Sequence, residues 1–101
     1  MIEANKKITL SGESALKALA ELEFILISLH KIGSYYIDKS TDKYQHATTK
    51  FIDRKHVTQR LAKVRKILSD SFDPSLGEDD MDDIERHVSQ LITWEPPQEA
   101  D

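Results

Sequence analysis

The sequence predicts an all-α protein, a three-helix antiparallel bundle of two long helices and one shorter one, behind a short extended N-terminus. Apolar residues recur at spacings of three and four along most of the chain, the period of a helix with a packed face. Only three Gly and three Pro interrupt the 101 residues, and no internal repeat is visible. The length suits one helical domain at residues 1–95, followed by a disordered acidic tail at 96–101.

Each element has its own signals. Ile8-Thr9-Leu10 reads as extended, and Ser11 as the N-cap of helix 1. Glu13 in the first turn suits the macrodipole, and Leu10 is placed to staple against Ala15. Ala15, Leu19, Leu22, Leu26, Leu29, Gly33 and Tyr36 then line one stripe. Leu16, Ala20, Phe24 and Ile27 form a second stripe roughly opposite, where a surface helix needs only one. Either the N-terminal segment or residues 35–51 cover this second face, or it is a self-association surface. A three-helix chain has few elements left to cover it, which tips the balance slightly toward a homodimer. The helix ends between Gly33 and Asp38.

Helix 2 opens in the Ser40-Thr41-Asp42 cluster, with Asp42 and Gln45 at capping-box spacing. Its apolar pattern is discontinuous. Val57, Leu61, Val64, Leu68 and Phe72 share a stripe, whereas Tyr44, Ala47 and Phe51 lie about a third of a turn away. The helix therefore bends near residues 52–56, or its first turns pack on a different neighbour, or it restarts at Thr48-Thr49. Asp73-Pro74-Ser75-Leu76-Gly77 is a loop, since Pro74 is incompatible with a helix interior. Ser75 and Glu78 match a capping box for helix 3, which carries Met81, Ile84, Val88, Leu91 and Ile92 on one face. Trp94 stands near its end and Pro96-Pro97 stop it.

Charge is partitioned along the chain. Residues 43–66 hold eight bases against one acid, and residues 67–101 hold eleven acids against one base, Arg86. A short loop would make helices 2 and 3 antiparallel neighbours, bringing Lys63, Arg65 and Lys66 close to Glu78, Asp79, Asp80, Asp82 and Asp83. Much of the split is then intramolecular, complementing helix dipoles at about 0.3–1 kcal/mol per charge.

No catalytic constellation stands out. The chain has no Cys, which removes disulfides and thiolate chemistry. Neither G-x-S-x-G nor a glycine-rich phosphate loop occurs. Its four histidines (His30, His46, His56, His87) fall in neither H-E-x-x-H nor Glu-x-x-His patterns. A calcium loop starting at Asp80 would need Gly at Glu85 and Glu at Leu91. The longest apolar run is Phe24–Ile27, far short of the ~20 residues that span a bilayer, and the first residues lack a secretion-signal core.

The expectation is a non-catalytic cytoplasmic protein–protein interaction or regulatory module, with no cofactor, no metal and no membrane partner. It self-associates as a homodimer through Leu16, Ala20, Phe24 and Ile27. An acidic patch of Glu78, Asp79, Asp80, Asp82, Asp83 and Glu85 meets a protein partner with a basic surface, as an inhibitor or immunity-type protein would. The alternative is a small nucleic-acid-binding regulator using Lys50, Arg54, Lys55 and Arg60 of helix 2.

Overall fold

The computed structural model describes residues 1–98. The chain is all-helical, and no strand occurs among the described residues. It divides into two units: Thr9–Ser71, and a unit that joins Met1–Ile8 to the chain from Phe72 onward.

The Thr9–Ser71 unit is a bundle of α1 (Gly12–Tyr35), α2 (Thr41–Arg54) and α3 (Val57–Ser69). Ser11, in extended backbone, caps α1 by accepting a 3.1 Å hydrogen bond from the Ser14 amide, as its sequence position predicts. Gly33 stays inside the helix. The last turn closes when Lys39 Nζ donates to the Tyr35 carbonyl at 2.8 Å.

The cap of α2 differs from the expectation. Ser40, not Asp42, occupies the N-cap and accepts from the Lys43 amide at 3.2 Å. Asp42 falls in the first turn instead, where its charge complements the dipole. Thr48 is no restart, because its hydroxyl donates to the Tyr44 carbonyl within a continuous helix. The discontinuity lies at His56, a single left-handed residue (φ 54°, ψ 48°) between α2 and α3. One such residue re-phases the helix, so apolar residues a third of a turn apart in sequence can both reach α1.

Pairings along α1 fix the direction. Phe24 packs on Phe51 with centroids 5.8 Å apart, Glu21 bonds Arg60, and Lys17 and Ala20 share a groove with Lys66 and Ile67. Rising positions on α2 and α3 thus meet falling positions on α1, so both run antiparallel to it. The apolar core is four side chains, Ala18 and Ile25 of α1 with Val57 and Val64 of α3. α2 buries none fully.

The second unit contains a 3₁₀ turn at Glu3–Asn5 and the six-residue helix α4 (Asp83–Val88). The shorter third helix expected between a Ser75 cap and Pro96-Pro97 forms only over these six residues. Ser75 caps nothing: its amide and hydroxyl both donate to Asp73 Oδ1. The Gly77 amide bonds the Met81 carbonyl, and Asp80 is left-handed (φ 60°), which holds 77–81 in a turn. Asp82 caps α4 by accepting from the Glu85 amide at 2.8 Å. Past Val88 the apolar residues bury little, and a short helix without burial is marginal in water.

Candidate functional site

α1 positions the most prominent surface. Its buried line runs through Ala18 and Ile25, between the two stripes read from sequence rather than along either. The opposite side of α1 is therefore left uncovered, and there residues of the two stripes, expected on roughly opposite faces, lie side by side. Leu19 and Leu26, assigned to the core stripe, are 51% and 60% exposed, and Leu16 and Ile27 are 69% and 48% exposed. Ala20 is exposed as well. At 100° per residue these five fall within a sector of about 120°, interrupted by Glu23 and His30. Of the four predicted self-association residues, Phe24 alone turns inward. It is half-buried against Phe51, with the Arg60 guanidinium 4.2 Å from its ring centroid.

Beside this face, α1 and α3 leave an open groove of about 460 Å³. Ala20 and Ile67 lie in it with the long stems of Lys17, Lys63 and Lys66, and Glu21 and Asp70 complete the lining. Lys17 pairs with Glu13 at 3.5 Å and Lys66 with Asp70 at 3.2 Å. Lys63 makes no ion pair among the described residues. Ala20 belongs to both the exposed face and the groove.

Of the four basic residues considered for nucleic acid, Arg60 is drawn away from the surface. Arg60 is half-buried, bonded to Glu21 at 3.1 Å and to the Lys55 carbonyl at 2.8 Å. Lys50, Arg54 and Lys55 are exposed on or just after α2, upstream of the left-handed break.

The acidic stretch is also reorganised. Arg86 grips Asp79 through two hydrogen bonds, Nε to Oδ2 at 2.6 Å and Nη2 to Oδ1 at 2.8 Å, and reaches Asp83 at 2.6 Å. It also donates to the Met81 carbonyl and packs over Gly77, where a Cβ would collide with the guanidinium. Asp83 is buried, and its other oxygen accepts from Asn5 Nδ2 at 2.8 Å and the Ile2 amide at 3.0 Å. Asn5 in turn exchanges two hydrogen bonds with the backbone of Asp73. The Asn5 amide first, then the Ile2 amide and Arg86, hold the Asp83 carboxyl below its ordinary range. Arg86 does the same for Asp79, and Ser75 for Asp73. Asp83 and Asp79 are thus structural, and Asp82 is a cap. Glu78, Asp80 and Glu85 remain exposed.

A second apolar surface was missed in the sequence. Val88, Leu91, Ile92 and Trp94, expected on a helix face or near its end, are 53%, 58%, 101% and 81% exposed, and 91–98 is not helical. The signal was present: Leu91-Ile92-Thr93-Trp94 is mostly β-branched or aromatic, and Pro96 follows closely.

The four histidines are exposed, and no three His, Cys, Asp or Glu side chains cluster as metal ligands among the described residues. No helix among them is long and apolar enough to cross a membrane. Compared with models of protein families, with curated proteins and with solved structures, the chain matches none.

Proposed function

We propose that this protein is a non-catalytic interaction or regulatory module that works as a homodimer, two copies burying the outer face of α1 against each other. The observation that carries the reading is the imbalance within the Thr9–Ser71 unit. Four apolar side chains are buried there, while Leu16, Leu19, Leu26 and Ile27 stand about half or more exposed on α1, and Leu61 and Leu68 of α3 are exposed to a lesser degree. A helix with an uncovered apolar sector needs another layer, and small domains commonly obtain one by oligomerising.

The acidic stretch supports the regulatory half of the reading. Glu78, Asp80 and Glu85 keep their charge at the surface and favour a protein partner whose surface is basic. The nucleic-acid reading loses Arg60 to its internal bonds with Glu21 and the Lys55 carbonyl.

Light scattering on the full chain over a concentration series tests the dimer. A mass twice that of the chain at tens of micromolar is expected. A monomer throughout that range would overturn the reading.

A further inference from the structure

The uncovered segment Val88–Trp94 and the α1–α3 groove are complementary. The segment carries four exposed apolar side chains in seven residues and is bracketed by Glu85 and Glu95. The one base nearby, Arg86, is held by Asp79 and Asp83. Over the whole sequence, Met1–Ile8 with Phe72–Asp101 holds three bases and eleven acids, a net of −8. Thr9–Ser71 holds eleven bases and seven acids, a net of +4.

The groove offers the opposite character. Ala20 and Ile67 give it an apolar floor, and Lys63 lines it without an ion pair among the described residues, while Lys17 and Lys66 are paired with Glu13 and Asp70. Its volume of about 460 Å³ lies within the ~300–1,000 Å³ usual for sites that seat bulky groups. Ile92 and Trp94 are the most exposed apolar side chains of the segment.

We infer that the Val88–Trp94 segment of one copy docks in the α1–α3 groove of a second copy, with Ile92 and Trp94 as anchors and Lys63 facing the flanking acids Glu85 and Glu95. Extended apolar peptides with charged flanks are recognised in this way, the anchors giving affinity and the flanks giving steering and register. The inference rests on the homodimer proposed above. It gives that dimer a second, reciprocal contact that meets the α1 face at Ala20. In a dimer each copy receives one segment and donates one, an exchange related by a two-fold axis.

Trp94 is the sole tryptophan and reports directly on its own burial. Its emission and the light-scattering mass should be followed together as full-length protein is concentrated. Docking predicts a blue shift with the same concentration midpoint as the dimer. Ile92→Asp should raise that midpoint at least tenfold, and Lys63→Glu should return Trp94 toward exposed emission. Both positions are exposed, so folding is not the variable read. A dimer whose Trp94 stays exposed overturns the inference and leaves the α1 interface standing. A monomer with no shift overturns both. A shift that does not change with concentration, or that survives Lys63→Glu undiminished, also overturns the docking.

Discussion

Leu26→Asp is the most direct perturbation of the proposed interface. Leu26 is 60% exposed on the outer face of α1, outside the core line of Ala18 and Ile25, so the folded single chain should tolerate the change. Burying a whole leucine side chain is worth about 1.5–3 kcal/mol, so covering the exposed part gives about 1–2 kcal/mol per copy. Two-fold symmetry counts the loss twice, which makes about 2–4 kcal/mol for the dimer before any repulsion between the two new carboxylates. At 1.4 kcal/mol per tenfold, dissociation should strengthen roughly 30- to 700-fold. Sedimentation equilibrium or light scattering across several decades of concentration reads this as a shift in the monomer–dimer midpoint. A variant whose mass tracks the wild type at every concentration would refute the assignment of this face.

Three further outcomes are expected. Ile25→Ala should cost about 2–5 kcal/mol in urea unfolding, a severe loss with only four apolar side chains buried, and a cost below 1 kcal/mol would place the core elsewhere. At His56, Gly should be at least as stable as His, whereas Val should lose about 1–2 kcal/mol, because a β-branched residue is strained in the left-handed region; equal midpoints for Gly and Val would refute the strain. The pH dependence of the second unit follows from Asp83, Asp79 and Asp73, whose folded pKa values are depressed. Their contribution is complete above the unfolded carboxylate pKa of about 4 and is lost as pH falls through the lower folded values. NMR shifts of the Ile2 amide and the Asn5 side-chain amide should therefore titrate below that pKa, and Asp83→Asn should remove the transition; a midpoint at or above about 4 would contradict it.

The helical class, the Ser11 cap and the location of the bend near 52–56 were legible, because each rests on local pattern or on a capping residue. What failed was rotational phase. Leu19 and Leu26 share a stripe with Leu22 and Leu29, and the sequence cannot show that the buried line runs through Ala18 and Ile25. That line depends on where α2 and α3 approach. The short α4 was misread for a related reason. Ser75 and Glu78 have capping-box spacing, but Asp73 takes the serine's hydrogen bonds, and the competition shows only in three dimensions. The Asn5–Asp83 bond joins residues too distant in sequence for any periodicity to reveal. The exposed Leu91–Trp94 segment was readable from its poor helix propensity, a cue that apolar spacing of three and four overrode.

The bond from the Ile2 amide to Asp83 has a consequence for how the chain acquires its structure. Thr9–Ser71 is one continuous stretch, complete once a ribosome has released residue 71. The other unit is built from both ends of the chain, and its stitch spans 81 positions. Ile2 and Asn5 are synthesised before the bundle yet are among the last residues to find their partners. The helical bundle can form while Ile2 and Asn5 still wait for Asp83, and the slower phase of folding should belong to this long closure.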